Sequence, residues 1–386
     1  MKRLGRKGII GIVLTAAALT ACTGQQAVTT PVNKEAVTQA PATPNVQPAN
    51  GTTDASPGGP VTATVADGTI DSVTLSTKDG KTVQGALSAD HKTWTAGQAL
   101  EYNKSYTWSG SATGGNGQHT EITGSFSTVK PKRTETGKLN VGDNKTYGIA
   151  MPIELKFDTK VTDRASVEKS LKVETSVPTE GSWAWLDDRR VHWRPKEFWK
   201  PNTQVKVTAN LFGTSLGNGV YGKADVTSSF TIGREQTVIA DTQAHRLIVK
   251  RDDKVMYDFP ASYGLESDPG RVTTGGTHVV MEAFETKLMT NEKYGYENVP
   301  VKWAVRFYGN GEFIHAYDAT KAQQGKVNVS HGCANLTTEN AKKYFESQLT
   351  GDPVIVTGSK VQMSEQYDYS DWIVPWDKWQ SRSALK

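Results

Sequence analysis

Hydrophobic and polar residues alternate with period two through most of this chain, and the helical period emerges clearly only once. From Pro60 to about Lys130 the segments are short. Val73-Thr74-Leu75-Ser76-Thr77 closes on the turn Lys78-Asp79-Gly80-Lys81, and Trp94, Tyr106-Thr107-Trp108 and Ser125-Phe126-Ser127 continue the alternation. Asp-Gly supplies the positive φ of a tight hairpin, so this stretch reads as strand, turn, strand. Past Pro131-Lys132-Arg133 the style repeats over 131–234, in Ile153-Glu154-Leu155-Lys156-Phe157, Ser182-Trp183-Ala184-Trp185, Val191-His192-Trp193 and Val205-Lys206-Val207-Thr208-Ala209. Alternation with turns every ~8–12 residues predicts two small antiparallel β-sandwich domains, 60–130 and 131–234, with their tryptophans in the cores.

The third block, 235–358, opens with Thr237-Val238-Ile239-Ala240. A hairpin is predicted where Arg246-Leu247-Ile248-Val249-Lys250 and Val255-Met256-Tyr257-Asp258-Phe259 flank Asp252-Asp253-Lys254. A second is predicted where Trp303 to Tyr308 and Glu312 to Tyr317 flank Gly309-Asn310-Gly311. The helical period follows: Thr337 or Thr338 caps it, and Ala341, Tyr344, Phe345 and Leu349 fall on one face. The fold class is therefore mainly β, with one main helix. The closing segment, 359–386, contains Asp371-Trp372-Ile373-Val374-Pro375-Trp376-Asp377-Lys378-Trp379. It is too aromatic for a solvated tail and is expected to pack on the third domain.

The opening residues read differently. Lys2, Arg3, Arg6 and Lys7 precede an apolar stretch, Ile9 to Leu19, and then Leu19-Thr20-Ala21-Cys22. This is the pattern of an export signal over 1–21, and it resembles a bacterial lipobox with Cys22 as the lipidated first residue of the mature chain. A multiply acylated anchor would hold the protein on the extracytoplasmic face of the cell membrane. Residues 22–59 are rich in Thr, Ala, Pro, Gln and Asn, with few large apolar residues. They read as a disordered tether, a coil of roughly 30–40 Å. The formal net charge of +4 is matched by the four basic residues of the signal, so no basic surface for nucleic acid is implied.

With Cys22 committed, Cys333 is the one thiol left, in the run Ser330-His331-Gly332-Cys333-Ala334-Asn335. An unpaired cysteine in an exported protein, among polar residues and glycine, points to a nucleophile. A thiol needs a base within hydrogen-bond reach. His315, near the end of a strand, has the stronger claim, with a backbone carbonyl as the expected partner of its second nitrogen. His331 could assist, since positions 331 and 333 of an extended segment share a face, and Ser330 could supply a hydroxyl. The amides of Gly332 and Cys333 could form an oxyanion hole. This chemistry is acyl transfer through a thioester. It calls for no cofactor, and no metal-ligand cluster is visible in the sequence.

Ile314-His315-Ala316 followed by Val329-Ser330-His331-Gly332-Cys333-Ala334-Asn335-Leu336 resembles the signature of L,D-transpeptidases of the YkuD family, with similarity over about Gln236 to Gly358. The sandwiches, the lipobox and the closing tryptophan-rich run resemble the actinobacterial members, which implies that the two β-sandwich domains are immunoglobulin-like spacers. The resemblance implies a YkuD-type β-sandwich catalytic domain with a lid, here between Leu288 and Val301. It also implies peptidoglycan tetrapeptide stems as donor and acceptor. In that scheme Cys333 attacks the carbonyl of diaminopimelate and expels D-alanine with His315 as base, and a second stem's amine then gives a 3→3 cross-link. Tyr296, Asn310, Gly311 and Asn335 are implied in substrate binding, and carbapenems are implied as inhibitors. Many relatives carry glycine or serine after the base histidine, where this chain has Ala316. Water in place of the amine would make an L,D-carboxypeptidase, a protein amine would make an attachment enzyme, and a dead site would leave a wall-binding lipoprotein.

Overall fold

The computed structural model describes residues 40–386, so the export signal and Cys22 lie outside the described residues. The chain is mostly β, with two sandwiches preceding a third domain. The first sandwich starts earlier than its alternation suggests. Thr43–Gln47 pairs antiparallel with Thr62–Ala66, which places part of the stretch read as tether inside the first sheet. Polar strand residues such as Thr43, Asn45 and Gln47 mark this as an edge strand, whose apolar content is too low to signal burial. The facing sheet is built on the long pair Gly68–Thr77 and Ser105–Gly114. Between the sheets Trp94 and Trp108 meet edge to face at 5.4 Å, in a core with Leu75, Tyr106 and Phe126.

The second sandwich packs a sheet ordered Lys138–Leu139, Ile153–Lys156, Arg190–Pro195, Gly181–Trp185 on one ordered Thr146–Tyr147, Val226–Ile232, Gln204–Ala209, Leu171–Thr175. Trp193 and Trp199 lie 5.0 Å apart in its core. A short helix, Arg164–Lys169, interrupts it, capped by Asp163. With Trp376–Ser381 near the C-terminus, it makes two short helices that the sequence pattern does not show, beside the one main helix of the third domain that it does. Six residues are too few to display a helical period, which explains the difference.

The third domain stacks two sheets. One is ordered Lys254–Pro260, Arg246–Arg251, Gln236–Asp241, Pro353–Thr357, Gly276–Val279. The other is ordered Glu282–Asn291, Tyr296–Arg306, Phe313–Ala316, Ala334–Leu336. Asp252 and Asp253 both take positive φ in the turn of the first hairpin, as its chemistry requires. The main helix, Thr338–Ser347, is capped by the Thr337 hydroxyl and buries Ala341 and Tyr344. Its role is to brace the sheet that carries the cysteine, since Tyr344 packs with Ile314, Ala334 and Leu336.

The C-terminal segment meets its expectation in part. Met363, Tyr367 and Ile373 pack on the third-domain core, while the tryptophans seat on the second sandwich. Trp379 is buried with Ala184 and Val374, and its indole N–H donates to the Ser182 carbonyl at 2.9 Å. Arg194 of the second sandwich lies within 4.8 Å of the Trp372 ring, 5.1 Å of Trp376 and 4.9 Å of Trp379. His192 bonds Asp371 of the segment and Glu154 of its own sheet, each at 2.8 Å, away from solvent. A buried charge demands such partners, and the sandwich supplies cations where the tail supplies aromatic faces and a carboxylate.

Candidate active site

Phe313–Ala316 and Ala334–Leu336 run parallel, with Ile314 opposite Ala334 and His315 opposite Asn335. Cys333, one residue before Ala334, is two residues from Asn335, so in a pleated strand it shares the face of His315. Both line a cavity of about 610 Å³ beneath the hairpin formed by Glu282–Asn291 and Tyr296–Arg306. Ser330, His331, Gly332, Tyr296, Asn310, Gly311 and Asn335 line it too, so all nine residues singled out in the third domain converge on one space.

The His315 ring is buried, and its Nδ1 bonds the carbonyl of Ala316 at 3.0 Å. A carbonyl only accepts, so Nδ1 carries the hydrogen and Nε2 is the basic nitrogen. No side-chain hydroxyl is needed at position 316 for that orientation. Burial holds the imidazole below its ordinary pKa. Burial also pushes the Cys333 thiol up to about 12, opposed by a backbone hydrogen bond from Phe313 and reinforced by the charge of Glu312. The resting pair is therefore a neutral thiol and a neutral imidazole, and proton transfer accompanies attack.

The loop before the thiol is fixed by hydrogen bonds that reassign two expected roles. The Ser330 hydroxyl donates to the Cys333 carbonyl at 2.6 Å and accepts from the Gly332 N–H at 3.2 Å. Ser330 thus braces the loop and is not a partner of His315. The Gly332 amide, consumed by that contact, is not a free oxyanion donor. Gly332 itself sits at φ +115°, a conformation open to glycine and strained for other residues. The Thr273 hydroxyl pins its carbonyl at 2.8 Å. Arg271 donates to the carbonyls of Val329 and Ser330, the latter at 3.1 Å.

His331 turns to the lid. Its ring lies 4.7 Å from Tyr294 and 5.5 Å from Tyr296, so it is an aromatic contact for the lid. Tyr296 lines the same cavity as the thiol, and burial raises its pKa, with Cys333 adding to the rise. Asn335 reaches the Thr320 hydroxyl at 3.3 Å, and Asn310 reaches Glu312 at 2.8 Å.

Glu312 was not legible as a site residue. It is buried at 4% exposure and accepts from the Thr274 N–H and hydroxyl as well as from Asn310. Burial pushes it up to about 7 against those donors. A carboxylate in the apolar phase of a strand, Glu312-Phe313-Ile314, was the available signal. Thr273 and Thr274, which hold Gly332 and Glu312, were visible only as polar residues before a strand. No group of three or more metal-ligating side chains occurs among the described residues.

With this geometry in place, the similarities of the chain are specific. Residues 235–356 match the model of the L,D-transpeptidase catalytic domain, YkuD, and residues 52–215 match a bacterial Ig domain. L,D-transpeptidase 5 of Mycobacterium tuberculosis is 43% identical over 381 residues, which is 97% of this chain and 83% of the relative. L,D-transpeptidase 2 of the same species is 34% identical over 334 residues, 84% of this chain and 81% of the relative. A solved L,D-transpeptidase in complex with imipenem superposes with a TM-score of 0.50 at 29% identity, covering 58% of this chain and 99% of that one. A cysteine and a histidine on one face of adjacent parallel strands, under a hairpin lid and behind immunoglobulin-like domains, thus belong to an acyltransferase: this chain is a member of the L,D-transpeptidase family with a YkuD catalytic domain.

Proposed function

We propose that the protein forms 3→3 cross-links between peptidoglycan tetrapeptide stems through a thioester on Cys333. The observation that carries this is the shared face of His315 and Cys333 in a lidded cavity, with Nδ1 held by the Ala316 carbonyl so that Nε2 is the free imidazole nitrogen. Cys333 attacks the carbonyl of the third residue of the donor stem while Nε2 of His315 takes the thiol proton. The imidazolium returns that proton to the departing D-alanine amine. The amine of a second stem then displaces sulfur. The Cys333 amide, rather than that of Gly332, is left to face the developing oxyanion. Tyr296 closes over the donor, and Asn310, Gly311 and Asn335 border it.

Cys22 would carry the lipid anchor, placing the site on the extracytoplasmic face of the membrane at the reach of its linker. Carbapenems would acylate the same sulfur, in keeping with the imipenem complex of a relative. Purified soluble protein incubated with tetrapeptide stems should release D-alanine and yield dimers. Cys333→Ala should do neither and should gain no mass from a carbapenem. Dimers from that variant, or tripeptides alone from the wild type, would refute the assignment.

A further inference from the structure

Of the residues that line the cavity, Glu312 is the one carboxylate, and no lysine or arginine joins it. Its two oxygens are unequally used. Oε1 accepts from the Thr274 hydroxyl at 2.5 Å, from Asn310 at 2.8 Å and from the Thr274 N–H at 3.2 Å. Oε2 accepts only the shared Thr274 N–H, at 3.1 Å, and keeps capacity for another donor. The carboxyl stands against the nucleophile loop: a Cβ placed on Gly332 would lie 3.5 Å from Glu312 Cγ and 3.9 Å from its Cδ. In the proposed second half-reaction, the acceptor amine arrives as an ammonium, since such amines have an ordinary pKa of about 10.4. A cation entering a partly closed cavity needs a counter-charge, and His315, neutral by its burial, supplies none.

We propose that the Glu312 carboxylate docks the acceptor ammonium and takes its first proton, so that the freed amine can attack the Cys333 thioester. The inference rests on the thioester reading above. The balance is explicit. The ammonium gives one proton to Glu312, the amine nitrogen forms the new C–N bond, the C–S bond breaks, and a second nitrogen proton passes through His315 to sulfur. The products are the amide, the Cys333 thiol and a protonated Glu312, which returns its proton to water.

The surroundings suit the role. The carboxyl's rise to about 7 matches a base working near neutral pH. The charged and titratable groups around it are few. Cys333 and Tyr308 are both raised by burial, with its charge adding to the rise, and Arg271 is engaged with the loop carbonyls. His278, bonded to the Thr274 carbonyl, is held neutral by burial, down at about 4, while His331 packs at a tilt against the lid tyrosines.

The test compares wild type with Glu312→Gln and Glu312→Asp, by measuring how the Cys333 acyl-enzyme partitions between amine and water as the ratio of dimer to tripeptide. The ratio should fall on the order of a hundredfold in Glu312→Gln, less in Glu312→Asp, and recover with an amine already unprotonated at the assay pH. Acylation by a carbapenem should become modestly faster in Glu312→Gln, because the charge that adds to burial in raising the thiol is gone, and that adduct also reports a folded site. An unchanged ratio would overturn the proposal. So would an equal fall with the unprotonated amine, which would mean that Glu312 only shapes the site. Absence of any Cys333 adduct in the wild type would instead overturn the thioester reading, and this inference with it.

Discussion

His192 joins the tail to the second sandwich, and its removal should be costly. The ring is 1% exposed, with Asp371 on one nitrogen and Glu154 on the other, so both ring N–H groups donate to carboxylates. Burial alone would lower its pKa, but the two carboxylates outweigh burial and raise it from 6.5 to about 9. That rise corresponds to about 3 kcal/mol of stability. The sign follows from the raised folded-state value: the contribution is complete below about 6.5 and is lost as pH climbs through about 9. His192→Ala also strands the Asp371 carboxylate, which is fully buried in this setting. Breaking a buried pair costs about 3–5 kcal/mol, so the variant should lose that much near pH 6. Urea unfolding followed by tryptophan fluorescence measures it, because Trp193 and Trp372 are close to the cluster. The gap between wild type and variant should shrink steadily as pH rises toward about 9–10. A gap below about 1 kcal/mol near pH 6, or one that stays constant with pH, would refute the reasoning.

Two further outcomes follow from the same contacts. Trp379→Ala empties a fully buried site and strips the Ser182 carbonyl of its donor, so it should destabilise the protein by about 3–5 kcal/mol in the same urea assay. Gly332→Ala meets no hard clash, but its φ of +115° is strained for alanine. It should cost about 1–3 kcal/mol of strain, lowering the urea midpoint accordingly, and slow carbapenem acylation of Cys333 at least tenfold, read by intact mass against time.

Much of the fold was legible because two signals agree in most of its strands. In Val205-Lys206-Val207-Thr208-Ala209 the alternation marks one buried face, and Asp252-Asp253 or Asn310-Gly311 marks where the chain reverses. The pattern fails where one signal is missing. Thr43–Gln47 has no strong apolar phase, and its membership of the first sheet comes from backbone pairing with Thr62–Ala66. The tail was legible only in part, for another reason. Its aromatic content shows that it must be buried but carries no direction, and the deciding partners, His192 and Arg194, sit some 180 residues away in sequence. In the site, Cys333 and His315 stand out by chemistry alone. Glu312, Thr273 and Thr274 act through hydrogen bonds that tertiary contact creates, and Ser330 satisfies the Gly332 amide that glycine at that position had suggested was free.

The tail and the site are connected by continuous contacts. Asp371 is bound by His192, and two residues on, Ile373 packs with the third domain's core. Upstream in the same tail, Met363 N–H donates to the Gly275 carbonyl, and Gly275 N–H donates to Val361. The Ser359 hydroxyl donates to the Thr273 carbonyl at 2.6 Å. Thr273 then holds the Gly332 carbonyl, and Thr274, the next residue, holds Glu312. The segment Thr273-Thr274-Gly275 is therefore gripped on one side by the tail and grips the nucleophile loop and the buried carboxylate on the other. A hydroxyl and a carboxylate must be held within a few tenths of an ångström to serve one reaction, and loops alone do not provide that. The second sandwich, by binding the tail, gives that segment a fixed backing, which makes it part of what positions the cysteine as well as a spacer.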